Sequence, residues 1–168
     1  MLAATFANCS NKLTPDGALI DLIAASTTSR HWAALWIKLR DGPFATRTSR
    51  DGLPIPLPSS AGAAAADSAS ASLQVSILAG SIVANCHAFE GDIEFDVDPR
   101  QIQSSSSFDD LLMLMRFLAV TTGLSISAAP EGGGLARAFL CVAPDGSSVF
   151  TSAGGAPSNN RLEPQRHE

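Results

Sequence analysis

Residues 92–98 alternate strictly between acidic and apolar side chains, and this pattern constrains the fold more than any other stretch of the chain. The segment reads Asp-Ile-Glu-Phe-Asp-Val-Asp. Successive side chains of a β-strand point to opposite faces, so the pattern predicts a strand with one apolar face and one face of carboxylates. We therefore expect an antiparallel sheet that is covered on one side and solvated on the other. The acidic residues of this strand are Asp92, Glu94, Asp96 and Asp98.

Two predicted strands precede the acidic one. Residues 73–79 alternate between apolar and more polar side chains, and residues 82–89 form a second β-compatible run. The connections at 80–81 and 90–91 have the length and the glycine content of tight turns. Short connections between successive strands predict an antiparallel meander of three strands.

A helix is predicted over residues 108–122. Ser107 is the expected N-cap, and Gly123 is the expected residue after the last turn. Most of the apolar side chains form one stripe, but Met113, Leu114 and Phe117 lie away from it. A helix that is apolar on a second side either lies between two layers or contacts a partner.

Short strands are expected to complete the sheet after this helix. Residues 124–128 form one strand, and residues 137–143 and 147–151 form a hairpin. Residues 153–168 are rich in Gly, Pro, Asn and charge, which predicts a disordered tail. We therefore place an α+β domain at residues 73–152, with a three-strand meander, a helix and two or three further antiparallel strands.

The amino-terminal residues 1–42 are predicted to form a small helical unit. A first helix is expected over residues 14–25, and a second places Trp32 and Trp36 on one apolar stripe. Large aromatic side chains at this spacing indicate either a core-facing helix or the anchors of a partner surface.

Residues 43–72 are predicted to be a flexible linker or a long loop. Three prolines alternate with apolar residues over 53–58, which excludes a regular helix or a central strand there. Residues 59–72 contain only Ser, Ala, Gly and one Asp, a composition with little to bury. One hydrophobic core shared by the units on either side remains an alternative.

The composition excludes several classes of protein. The net charge of −5 argues against nucleic acid as a partner, because phosphate binding depends on Lys and Arg. No apolar run reaches the length of a membrane span, and the amino terminus lacks the basic segment of a signal peptide. The three cysteines are widely spaced and indicate neither a disulfide framework nor a zinc site. We expect a cytoplasmic protein with no cofactor.

The acidity is local. Residues 90–110 hold seven of the sixteen acidic residues and one of the eleven basic ones. The carboxylates of residues 92–98 form either an ordinary solvated sheet face, a patch that recognises a basic protein, or a site for Mg²⁺ or Ca²⁺.

We predict a small acidic protein-binding module, without enzymatic activity, that binds a protein partner through the acidic strand face, through an apolar helix surface, or through both. Binding through the acidic face would select a basic partner. The same surfaces are compatible with a homo-oligomer. The order helix, three strands, helix and strands resembles that of type III secretion chaperones, and the small acidic chain is similar to toxin immunity proteins. These likenesses imply a chaperone-, immunity- or adaptor-like role. The alternative is a metal-dependent hydrolase that uses the carboxylates of residues 92–98. The candidate partner-binding residues are Asp92, Glu94, Asp96, Asp98, Met113, Phe117, Trp32 and Trp36.

Overall fold

The computed structural model describes residues 2–89 and 91–151 of the 168-residue chain. Within them, ten strands form one sheet in which every pairing is antiparallel. The predicted tail at 153–168 and residue Glu90 of the predicted turn lie outside the described residues. The strands are β1 (Leu2–Ala3), β2 (Ile20–Ala24), β3 (Ala45–Arg50), β4 (Leu53–Ile55), β5 (Leu73–Ala79), β6 (Ile82–His87), β7 (Ile93–Val97), β8 (Ile126–Pro130), β9 (Leu140–Val142) and β10 (Ser148–Phe150).

The helices of the described chain lie between these strands. The longest two, α2 and α4, pack against each other, and their buried residues join those of the sheet in one hydrophobic core. No helix in this part of the protein has the length and apolar content needed to cross a membrane. The helices are α1 (Phe6–Cys9), α2 (Ser29–Asp41), α3 (Ala61–Ser68) and α4 (Ser105–Thr122), with short 3₁₀ turns at Ser10–Lys12, Pro99–Gln101 and Leu135–Arg137.

The strand order in the sheet is β1-β10-β9-β8-β2-β7-β6-β5-β3-β4. Strands β5, β6 and β7 follow one another in the chain and are also hydrogen-bonded neighbours in the sheet, which confirms the predicted meander. Strand β2 lies between β7 and β8 and thereby joins the meander to the strands that follow α4. The α+β class, the antiparallel sheet and the amino-terminal helix α2 are all confirmed.

The predicted helix over residues 14–25 is wrong, because residues 20–24 form strand β2. All five residues of β2 are buried, and the strand is hydrogen-bonded to β7 on one side and β8 on the other. A short apolar run of this kind suits a buried strand as well as a helix, so local periodicity does not separate the two. The hydrogen bonds to β7 and β8, which are distant in sequence, stabilise the strand over the helix.

Residues 43–72 contain β3, β4 and α3, where we predicted a linker or a long loop. Pro54 is accommodated because β4 is the edge strand of the sheet, where a missing N–H group is tolerated. Helix α3 begins at a cap in which Ser60 Oγ accepts a hydrogen bond from Ala63 N at 3.1 Å. Its alanines favour a helix, and Ala64 reaches the core. The core therefore draws on this range as well as on residues to either side of it.

Helix α4 confirms the predicted helix and its end, but it begins earlier than expected. The N-cap is Ser104 and not the expected Ser107. In a capping box, Ser104 Oγ accepts a hydrogen bond from Ser107 N, and Ser107 Oγ accepts one from Ser104 N. Gly123 takes the left-handed conformation with φ of 70°, which a residue without Cβ adopts readily. Asp110, near the start of α4, accepts hydrogen bonds from the backbone N–H and the hydroxyl of Ser81, both at 2.9 Å.

Candidate functional site

The two faces of the sheet differ in what covers them. The inner face carries the apolar residues of β5, β6 and β7 and belongs to the hydrophobic core with α2 and α4. The register places Asn85 opposite Asp96 and His87 opposite Gln74 on the other face, which we call the outer face. Along β7 the exposed Glu94 and half-buried Asp96 therefore alternate with the buried residues Ile93, Phe95 and Val97.

Three carboxylates converge on the outer face. Asp21 in β2 lies directly opposite Asp96 in β7, and Glu94 lies opposite Ile23. One oxygen from each of Asp21, Glu94 and Asp96 lies within 4.8 Å of the others. We call these three residues the acidic cluster. In the described part of the chain, none of the three forms an ion pair with a basic side chain.

Asp21 is the buried member of the acidic cluster, with only 4% of its surface exposed. Its Oδ2 atom accepts a hydrogen bond from Gly132 N at 2.9 Å. The turn that contains Gly132 is held to β2 by a second pair of contacts, in which Leu19 N donates to Glu131 Oε2 and Glu131 N donates to Leu19 O. The glycine-rich turn thus folds back on β2 and positions a carboxylate within the sheet.

The environment of the acidic cluster favours the neutral form of two members. Desolvation is the largest cause that raises the pKa of Glu94, and the charges of Asp21, Asp96 and Asp92 add to it. Desolvation and the charge of Asp21 likewise raise the pKa of Asp96, with a smaller contribution from Glu131, while His87 acts in the opposite direction. A cation bound at the cluster would relieve this repulsion.

The two outer members of the predicted carboxylate row are engaged elsewhere. Asp92 accepts hydrogen bonds from Thr27 N at 2.7 Å and from Thr27 Oγ1 at 2.9 Å, and these bonds lower its pKa. Asp98 pairs with Arg100, which lowers the pKa of that carboxyl group. Of the four carboxylates predicted to act together, only Glu94 and Asp96 therefore remain side by side. Asp21 joins them as the third member of the acidic cluster.

His87 adds a titratable nitrogen to the same face. A shallow cavity of about 250 Å³ is lined by His87, Asp92, Glu94 and Asp96. Nδ1 of His87 lies 3.2 Å from the hydroxyl oxygen of Ser72, so a hydrogen bond fixes one side of the ring. The exposed His87 shares the lining of this cavity with Asp96 and acts to lower the pKa of that carboxyl group.

The four apolar candidates for partner binding have different positions. Trp32 and Trp36 are buried, and Trp36 Nε1 donates a hydrogen bond to Pro58 O at 2.8 Å. Both indoles are therefore core residues in this chain and offer little surface to a partner. Met113 is 42% exposed on α4, whereas Phe117 is half-buried.

Asp21 is the site residue that the sequence analysis missed. The available signal was a single carboxylate inside the apolar run Ile20–Ala24, which reads Ile-Asp-Leu-Ile-Ala. An ionised group at the centre of a buried strand is costly unless it is paired or functional. Because the segment was expected to be helical, this carboxylate was not placed beside the row at 92–98.

The described residues thus form an α+β protein with an acidic cluster on the outer face of its sheet. No protein-family model, no curated protein and no solved structure matches this chain.

Proposed function

We propose that the protein is a non-enzymatic binding module that recognises a basic protein surface through the acidic cluster on its outer face. The observation that carries this proposal is the convergence of Asp21, Glu94 and Asp96 without a basic side chain of the described chain to neutralise them. A lysine or arginine from a partner would supply the missing counter-charge. A single-sign patch also raises association rates, and it selects against acidic partners.

The desolvation of the cluster supports a specific contact over a merely solvated face. Glu94 is exposed and Asp96 is half-buried, so both are open to direct contact, whereas Asp21 is nearly inaccessible and would act on a partner only through its charge. Like charges held this close weaken the folded state, and binding sites are commonly less stable than the rest of a protein because they are shaped for a ligand. An arginine is the best-suited group, since its planar fork can donate to two carboxylates together.

The test is binding of the full chain to a synthetic peptide in which arginine alternates with serine, followed by fluorescence anisotropy. We expect binding that weakens as salt is added, because the contact is largely electrostatic. Asp96→Asn should weaken binding roughly tenfold, as expected for loss of a partly desolvated charge-assisted contact. Asp109→Asn changes the net charge equally on the exposed side of α4 and serves as the matched control.

Equal effects of the two substitutions would attribute the binding to overall charge and would contradict recognition at the cluster. A matching peptide with glutamate in place of arginine should not bind. If it binds equally well, electrostatic recognition is excluded.

A second candidate function follows from the same geometry. Oxygen ligands from three carboxylates within 4.8 Å suit a hard divalent cation such as Mg²⁺ or Ca²⁺. We propose, as the alternative, a metal-dependent hydrolase in which these carboxylates hold the cation and His87 accepts a proton from water. The supporting observation is that His87 lines the same cavity as Glu94 and Asp96.

Thermal unfolding in Mg²⁺, Mn²⁺ or Ca²⁺ separates the alternatives. A metal that binds only the folded state raises the unfolding temperature, and the shift grows with the logarithm of the metal concentration once that exceeds the dissociation constant. The hydrolase requires a shift that Asp21→Asn abolishes and Asp109→Asn leaves intact. The absence of any shift at millimolar metal would exclude the hydrolase and leave the protein-binding proposal in place.

A further inference from the structure

A cleft on the helical side of the protein lies between the end of α2 and the outward face of α4. Its volume is about 570 Å³, within the range of typical small-molecule sites. We propose that this cleft binds an amphiphilic carboxylate, of the kind represented by a medium-chain fatty acid, with the alkyl chain on α4 and the carboxylate between Lys38 and Arg116. This site is independent of the acidic cluster, which lies on the outer face of the sheet.

The apolar wall of the cleft consists of side chains of α4 that are exposed to solvent on one side and packed against the protein on the other. Val120 is 65% exposed, and the half-buried Phe117 lies one turn earlier on the same helix. Phe44 packs edge-on against Phe117 at a centroid distance of 5.0 Å and fixes the ring from behind. An exposed apolar surface of this kind gains free energy when an alkyl chain removes it from water.

The shape of the cleft depends on a close approach at Gly42. A Cβ atom at this position would collide with Lys38 O, and it would lie 3.4 Å from the Phe117 ring. Glycine therefore allows the chain to turn this tightly over the last turn of α2, and the turn leaves Gly42 at ordinary van der Waals distance from the aromatic wall. Such a preformed site binds its ligand with little cost in ordering.

The charges at the rim select the head group. Lys38 and Arg116 both line the cleft and are exposed. Arg116 Nε donates to Gly146 O at 3.2 Å, which holds the guanidinium at the rim. The one acidic residue in the lining is Asp41, and Arg40 donates two hydrogen bonds to its carboxylate at 2.9 and 3.0 Å. The charge left unpaired at the rim is therefore positive, and it favours an anion.

The experiment is a titration of the full chain with decanoate, kept below micelle formation, and followed through the backbone amide signals of the protein. We expect saturable shifts confined to residues 38–42 and 116–121. Decyltrimethylammonium, with the same chain and the opposite charge, should not produce them. Shortening the ligand to octanoate should weaken binding about fourfold for each methylene that leaves the cleft.

Variants of the charged rim and of the apolar wall assign the site, and a control variant lies outside it. Lys38→Ala with Arg116→Ala should weaken decanoate binding roughly fivefold to tenfold, since each exposed charge pair is modest. Val120→Glu should abolish binding, because it places an anion on the apolar wall, and Val120→Ser gives a milder version if the first variant unfolds. Leu53→Ser removes an equally exposed apolar side chain from β4 and should leave binding unchanged.

Several results would overturn the proposal. Equal binding of the two detergent-like ligands, or shifts that do not map to the cleft, would show only general apolar association. A self-association that Val120→Glu disrupts would make a second copy of the chain the occupant. Binding of an acidic amphipathic peptide, without binding of decanoate, would assign the cleft to a protein partner.

Discussion

Asp21 and Asp96 lie directly opposite each other in the antiparallel ladder between β2 and β7. Like charges at directly opposed positions destabilise a sheet, because their side chains are held within about 5 Å. Here the charge of Asp21 also contributes to the raised pKa of Asp96. The repulsion between Asp21 and Asp96 therefore lowers the free energy of unfolding, and removing one of the two charges should raise it.

We expect Asp96→Asn to raise the free energy of unfolding at neutral pH by about 0.2–1 kcal/mol, because it removes a directly opposed charge. Urea denaturation followed by circular dichroism measures the change. Asp109→Asn, on the exposed surface of α4, should have a smaller effect. A clear loss of stability in Asp96→Asn would mean that the carboxylate makes a favourable contact at neutral pH, contrary to our account.

The acidic cluster should also leave a signature in the pH dependence of stability. Glu94 and Asp96 have pKa values above their ordinary range, so the folded state binds their protons more tightly than the unfolded state does. Their contribution to the free energy of unfolding should fall as pH rises from the unfolded pKa through the folded one, and then remain constant. Glu94→Gln with Asp96→Asn should remove this fall.

Stability measured between about pH 3 and 7 tests the sign, because the ordinary carboxyl pKa values lie near 4. The wild-type protein and the double variant should converge at the acid end and separate as pH rises, with the variant more stable. A separation that grows toward acid would contradict the raised pKa values.

Asp92 should behave in the opposite way. Its pKa is lowered by the hydrogen bonds from Thr27, so its contribution to stability is present above the unfolded pKa and is lost as pH falls through the folded one. Thr27 Oγ1 also accepts a hydrogen bond from Ile93 N at 3.1 Å, which joins the start of β7 to the segment after β2.

We expect Asp92→Ala to cost about 0.5–1.5 kcal/mol of unfolding free energy at neutral pH, the usual net value of such hydrogen bonds. Asp92→Asn keeps an acceptor for Thr27 N and should cost less. Urea denaturation at neutral and acid pH measures both. Identical stability of Asp92→Ala and wild type would show that the hydrogen bonds from Thr27 to Asp92 make no net contribution to stability.

The indole of Trp36 should hold residues 56–60 against α2. Its Nε1 atom donates to Pro58 O, and the adjacent Arg40 donates to Ser59 O at 3.1 Å. Trp36→Phe removes the buried donor and part of the apolar surface, and we expect it to cost about 1–3 kcal/mol. Limited proteolysis should then cut near residue 58 faster than in wild type.

Trp32→Phe is the control for lost indole area, because Trp32 stacks on Phe89 at 4.6 Å and lies on the same helix. It should destabilise the protein without directing cleavage to residues 56–60. Equal cleavage in both variants would indicate general loosening of the core.

Several elements could be predicted from local sequence because their side-chain period is regular. The alternation in β5 and β7 separates a buried face from a polar one, and the burial patterns follow it residue by residue. Helix α4 combines an apolar stripe with a glycine that ends it in the left-handed conformation. Those local signals also predicted the α+β class and the carboxylates of Glu94 and Asp96 on one face.

Other features depended on contacts between residues far apart in the chain. Nothing in the short run Ile20–Ala24 distinguishes a strand from a helix until β7 and β8 supply hydrogen-bonding partners on both sides. Those partner strands lie roughly 70 and 110 residues further along the chain, so they cannot be predicted from the periodicity of the run itself. The alanine-rich segment of α3 likewise gains its place from the burial of Ala64 against the core.

The spacing of neighbouring side chains encodes the alternating strand at 92–98, its one-sided charge and the helix after it, so these features follow from local sequence. Tertiary structure decided which carboxylates meet. It brought Asp21 opposite Asp96 through long-range strand pairing, and it left Asp92 and Asp98 bound to Thr27 and Arg100. Strand periodicity assigns a side chain to a face, whereas only the order of strands in the sheet assigns its neighbours.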